Sequence, residues 1–180
     1  MRQPPITTER LLLRAFSDDD AGRLAALGGA RRIADTTISV PHPYSIEQAA
    51  ADIGRFNDDW DVGRAIHFAI APAGEPDAFV GYIAVKDISE EHAIGELSFW
   101  IDESAAGRGF VTEAGSAVIR FAFGRLSLNR VYAHHMVRNA ASAGVLARLG
   151  MRPEGRLRQR VRKWGVFEDV SVAAILKSDV

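Results

Sequence analysis

Three short apolar runs follow one another with little between them: AIHFAIAP (65–72), AFVGYIAVKDI (78–88) and HAIGELSFWID (92–102). They are separated by the turn-rich stretches APAGEPD and SEEH. Runs this short, bounded this way, read as strands, and links this short join antiparallel neighbours. The third run leads directly into ESAAGRGFVTEA (103–114) and then TEAGSAVIRFAFGRL, where Ala114, Ala117, Val118, Phe121 and Ala122 share one helical face. Another strand, NRVYAHHMV, comes next. A strand–helix–strand unit pairs its strands in parallel, so the segment from Ile94 to His135 grafts a parallel pair onto a meander. The expected fold class is therefore a mixed α/β sheet.

The remaining segments add to that sheet. A strand is expected from Thr8 to Ala15, then a helix capped by Ser17 or Asp18 and ended by Gly28. RRIADTTISVPHPY reads as a loop broken by Pro41 and Pro43, and a helix from Ser45 carries Ile46, Ala49, Ala50, Ile53 and Phe56 as a stripe. Towards the C-terminus, NAASAGVLARLG reads as a short helix ended by Gly150, and two last strands turn near KWG. No repeat or linker interrupts the 180 residues, so a single domain spanning 1–180 is expected, large enough to bury roughly 70 % of its unfolded surface.

Charge and composition narrow the function. The net charge of −1 gives no basic excess for nucleic acid, and the absence of cysteine rules out disulfides, thiolate metal sites and a cysteine nucleophile. No ligand spacing points to a metal. The N-terminal three-leucine run is too short for a signal sequence, and no stretch approaches a membrane span. A cytoplasmic protein with no membrane partner is expected.

The glycine turn is the first candidate site. Gly107 and Gly109 can take positive φ and let backbone approach a ligand, while free N–H groups of the following helix favour an anion. Read alone, the turn is an ordinary strand-to-helix connection with Arg108 exposed. It lacks the Gly-Lys-Ser/Thr of a Walker loop, and no third glycine completes a dinucleotide fingerprint.

Taken together, TTERLLLRAFSDDD, IGELSFWIDESAAGRGFVTEA, RVYAHHMVRNAASAGVLARLGMRPEGRLR and the closing GVFEDVSVAAIL resemble, nearly end to end, the RimJ/RimL-like branch of the GNAT N-acetyltransferases. That resemblance implies a mostly antiparallel central sheet with a splayed parallel strand pair, flanked by helices. It also implies acetyl-CoA as co-substrate. The family loop R/Q-x-x-G-x-G/A falls on Ser104 to Gly109, with Ser104 replacing the usual Arg or Gln. By the same resemblance, amides of Ala106, Gly107, Arg108, Gly109, Phe110 and Val111 bind pyrophosphate, and Phe99, Trp100 and Ile101 pair with the pantetheine arm. Thr112 opens the helix with Glu113, either capping it or touching phosphate.

In VRNAAS, the resemblance gives Asn139 a pantetheine hydrogen bond and makes Ser142 the proton donor to the leaving thiolate. Both residues are also at home as a helix cap and first-turn residue. Arg148 either meets the 3′-phosphate or is a surface residue. Glu96, on the strand before the loop, could orient water or the incoming amine, with His67, His134 and His135 as other bases. The family carboxylate that follows the EG pair is matched here by Val161. The resemblance leaves Tyr44, Trp60 and the loop at Pro41 and Pro43 to shape the acceptor cleft, and implies a homodimer.

The acceptor is expected to be a primary amine. An α-amine is deprotonated at pH 7 for about 1–1.4 kcal/mol, whereas a lysine needs about 5 kcal/mol and depends more on a strong base. No strong base stands out, which favours an α-amine or another weakly basic amine, and the RimJ/RimL-like resemblance implies a protein N-terminus. A small-molecule amine (polyamine, amino acid or antibiotic) and a catalytically silent acyl-CoA-binding module are the alternatives.

Overall fold

A computed structural model describes residues 3–180. In chain order the elements are β1 (Ile6–Thr7), β2 (Leu11–Arg14), α1 (Ala21–Gly28), α2 (Arg31–Thr36), α3 (Ile46–Asp61), β3 (Ile66–Pro72), β4 (Gly81–Ser89), β5 (Ile94–Ile101), α4 (Phe110–Gly124), β6 (Arg130–Met136), α5 (Ala140–Arg148), β7 (Arg152–Lys163) and β8 (Val166–Leu176). The strands form an eight-stranded sheet in the order β1-β2-β3-β4-β5-β6-β8-β7. Among the described residues, β5 and β6 alone pair in parallel. The expected mixed fold, with one parallel pair in an otherwise antiparallel sheet, is what the chain adopts.

Each face of the sheet carries its own apolar core. Phe68, Ile83, Val85 and Leu97 pack beneath α4 with Ala114, Val118 and Phe123. On the other face, Phe16, Leu24, Ile53, Phe56, Phe79 and Trp100 join α1 and α3 to the sheet. β3 is buried on both sides, which explains why its sequence is continuously apolar instead of alternating. Ser45 starts α3 with a reciprocal cap: its hydroxyl accepts from the Gln48 amide at 3.2 Å, and Gln48 Oε1 accepts from the Ser45 amide at 2.9 Å. At the β7–β8 hairpin, Trp164 and Gly165 both take positive φ, 51° and 85°, as a two-residue turn requires.

Three local expectations are corrected. The first strand is two short ones, because the Thr8 amide donates to Leu11 O at 2.9 Å and folds the chain into a turn. Part of the expected loop after residue 30 is helix α2, which buries Ile33 and Ala34 despite starting at Ala30, a poor cap. α4 begins at Phe110, two residues before the expected start.

The parallel pairing is short. Only Ile94↔Arg130, Gly95↔Val131 and Glu96↔Tyr132 are in register, after which β5 runs on to Ile101 and β6 to Met136 without pairing. β6 is held instead by β8 along its whole length. The sheet therefore opens as a wedge beyond Glu96.

Candidate active site

The wall of the wedge formed by β5 ends in the glycine turn. Asp102 Oδ2 accepts from the Ser104 amide at 3.1 Å and from the Ser104 hydroxyl, closing a short 3-10 turn. The Ala106 amide is used up in that turn by Glu103 O at 3.1 Å, so it is removed from the expected anion-binding set. Gly107 and Gly109 follow with φ of 74° and 79°, and a Cβ on Gly107 would meet nothing within 4 Å. The positive φ explains the glycine, and the open space is room for a ligand. The first α4 amide taken up by the helix is that of Glu113, by Gly109 O at 3.0 Å. The helical pattern thus leaves the N–H groups of Phe110, Val111 and Thr112 facing out of the first turn, while the Phe110 and Val111 side chains are buried below.

Arg10 fastens this turn and was not singled out from sequence. Its Nε donates to Glu113 Oε2 at 2.7 Å and its Nη1 to Arg108 O at 3.1 Å. Its guanidinium and that of Arg108 lie 5.1 and 4.6 Å from the Phe110 ring centre. Glu113 also accepts from the Thr8 hydroxyl at 2.6 Å and the Arg10 amide at 2.9 Å. Burial works against its charge, but the Thr8 and Arg10 donors outweigh it and hold the carboxyl below its ordinary range. Thr112 does not cap α4: Gly109 occupies that position, and the Thr112 hydroxyl accepts from Arg148 Nε at 3.4 Å.

Between the walls lies a cavity of about 940 Å³. Glu96, Ser98 and Trp100 face it from one side of the β5 pleat, Tyr132, His134 and His135 from β6, and Ser142 from α5. Glu96 sits at the root of the wedge, with its carboxylate 3.0 Å from His134 Nδ1 and 3.5 Å from Lys86 Nζ. Phe99 also lines the cavity, whereas Ile101 packs against the core beneath α4. Asn139 is committed at both ends of its amide. Its Oδ1 accepts from the Ser142 amide at 3.1 Å, capping α5, and its Nδ2 donates to Thr36 O at 3.0 Å. Tyr44, Pro41 and Val161 line the cavity, but Trp60 and Pro43 do not.

The charges lining the cavity balance: Asp52, Asp87 and Glu96 stand against Arg55, Lys86 and Arg160. Tyr44 donates to Asp52 Oδ2 at 2.7 Å, and burial raises its pKa. The far wall holds a chain invisible in the sequence. Asp59 Oδ2 lies 3.3 Å from His67 Nε2, and His67 Nδ1 lies 2.9 Å from the Tyr82 hydroxyl. Burial pushes His67 down to about 4, against the pull of Asp59. His67 stacks on Phe56 at 4.1 Å. No signal in GYIAVKDI or RFNDDW marked Tyr82 or Asp59, because their partners are met only in the folded sheet. Among the described residues no group of three metal-ligating side chains comes together, and no helix is long and apolar enough to cross a membrane.

Residues 10–152 match the family described as Acetyltransferase (GNAT) domain. The chain is 31 % identical over 137 residues to "Probable N-acetyltransferase YjcK" of Bacillus subtilis, covering 76 % of this chain and 75 % of that protein. It is 27 % identical to the ribosomal protein uS5 alanine N-acetyltransferase of Escherichia coli, covering 97 % of this chain and 91 % of that one. Among solved structures, RimL, a ribosomal L7/L12 alpha-N-protein acetyltransferase in complex with coenzyme A, shares the fold with a TM-score of 0.90 at 20 % identity. That match covers 98 % of this chain and 100 % of RimL.

Proposed function

The chain belongs to the GNAT acetyltransferase family and is an N-acetyltransferase, and from that premise we propose that it transfers the acetyl group of acetyl-CoA to the α-amine of a protein N-terminus. One observation carries the coenzyme part. The unpaired edge of β5 runs directly into a glycine turn whose following helix leaves three outward N–H groups. A pantetheine arm can hydrogen-bond the peptide groups from Phe99 to Ile101 as a missing strand would. The amides of Gly107 to Thr112 then meet the pyrophosphate, and Asn139 positions α5 instead of binding the arm. The CoA-bound RimL neighbour supports this reading.

The chemistry follows from the residues at the root of the wedge. Glu96, held by His134 and Lys86, accepts the proton that the amine loses as it attacks the thioester carbonyl. Backbone N–H groups of β5 stabilise the negative charge that grows on the carbonyl oxygen. Ser142 gives its proton to the departing sulfur and recovers one from solvent. The amine attacks directly in a ternary complex, so no acetyl-enzyme forms.

Two features favour an N-terminal acceptor. The cavity's charges balance, which gives no pull on a polycation, and relatives of the chain carry names for acetylating ribosomal proteins. The test is a panel assay following CoA release with a free N-terminal peptide, a peptide whose only free amine is lysine, and spermidine. The N-terminal peptide is expected to be the best acceptor, with intersecting initial-rate patterns. Turnover of spermidine but of no peptide would overturn the acceptor, and parallel patterns with an isolable acetyl-enzyme would overturn direct attack.

A further inference from the structure

The chain of Asp59, His67 and Tyr82 plays no part in the chemistry above, yet its hydrogen positions can be worked out from one end. Asp59 Oδ1 is paired with the Arg64 guanidinium at 3.0 Å, and its Oδ2 lies 3.3 Å from His67 Nε2. An ionised carboxylate only accepts, so His67 carries its proton on Nε2 and presents a bare lone pair at Nδ1. The Tyr82 hydroxyl, 2.9 Å from that nitrogen, must therefore donate to it. Burial keeps the imidazole neutral, which preserves this tautomer. Rings also surround Tyr82: Phe16, Phe56 and Trp100, the last stacked at 6.1 Å and 11°, while the charges of Arg55, Asp52 and Glu96 act on it from the cavity side. With its only proton committed, the phenol oxygen meets the cavity solely as an acceptor.

We propose that the Tyr82 oxygen is a subsite for an N–H of the incoming amine, with His67 and Asp59 as positioning residues that hold its proton away from the cavity. The inference rests on the reading that this cavity receives an amine. The sheet register supports the placement. His67 pairs with Ala84, and Ala84 with Ser98, so a Tyr82 hydroxyl bonded to His67 reaches along the strand to the level of the Ala84–Ser98 row, on its β3 side. The Lys86–Glu96 pair is the next row on the same face, about 7 Å further along the strand. Tyr82 and Glu96 line the same cavity, so the phenol oxygen and the carboxylate open on one shared space. An acceptor-only oxygen suits a donor group such as an amine and repels a carboxylate or phosphate.

Tyr82→Phe keeps the ring and deletes only the oxygen. With a peptide bearing a free N-terminus, its KM for the peptide is expected to rise about tenfold, its kcat to fall less than threefold, and its KM for acetyl-CoA to stay unchanged. His67→Phe leaves the hydroxyl free to turn its proton into the cavity and is expected to raise the peptide KM in the same way, with no further rise when combined with Tyr82→Phe. A purely structural role would lower the melting temperature and disturb both KM values together. A wild-type enzyme that acetylates the peptide, beside a Tyr82→Phe variant with unchanged peptide KM, overturns the subsite alone. A wild-type enzyme that takes no amine overturns both the subsite and the function it rests on.

Discussion

Gly107 stands at φ 74° with open space where a Cβ would go, so a side chain there costs backbone strain and fills the cradle at once. Gly107→Val is expected to weaken acetyl-CoA binding at least tenfold while the protein stays folded, as read by calorimetry beside a melting curve. Unchanged affinity would remove the loop from the coenzyme site. His67 makes the second prediction at this scale. Its folded pKa, about 4, lies below the ordinary histidine value. Between about pH 6.5 and pH 4 the unfolded chain binds a proton that the folded one does not, so stability is complete above that window and declines as pH falls through it. The loss is on the order of 2–3 kcal/mol. Urea titrations at pH 7 and pH 4.5 should show it, and His67→Gln should flatten the difference. Both glycines were legible in the sequence because a positive φ leaves its mark on residue type. The tyrosine and aspartate on either side of His67 were not, since nothing local distinguishes them from any half-buried strand or helix residue.

Between elements, the contact that matters most to the cradle is the one from Glu113 in the first turn of α4 to the β1–β2 turn, where it takes Thr8 and Arg10. Glu113→Gln keeps the shape and removes the charge. It is expected to cost about 1 kcal/mol of stability and to raise the acetyl-CoA KM several-fold, because the helix start loses its anchor. An unaltered KM would mean that the turn holds its form without this anchor. Strands β3, β4 and β5 could be read in advance because apolar runs of strand length ended in turn residues. The hairpin at Trp164 and Gly165 could be read for the same reason. α2 could not: six residues with no capping side chain carry too little pattern, and only the burial of Ile33 and Ala34 in the fold makes them helical. The Glu113 anchor escaped notice too, because its partners lie more than 100 positions away.

Across the whole molecule, two apolar cores lie on opposite faces of one sheet, and the wedge between β5 and β6 is where the sheet's interior pairing is incomplete. On the proposed function, this geometry would let one fold present an acetyl carrier on one side and receive an acceptor on the other. The coenzyme, lying along β5, would supply the contacts that a neighbouring strand supplies elsewhere, and only the folded chain offers that edge. At a coenzyme concentration a hundredfold above Kd, the folded state gains about 2.7 kcal/mol, equivalent to a rise in melting temperature of about 5–10 °C. A thermal shift titration with CoA should follow that logarithmic rise, and a melting point indifferent to CoA would mean that the wedge stays empty. The open seam thus ties the protein's persistence to its supply: molecules made when acyl-CoA is scarce would be the first to unfold and be degraded, so the abundance of the enzyme would track the coenzyme pool without any separate regulator.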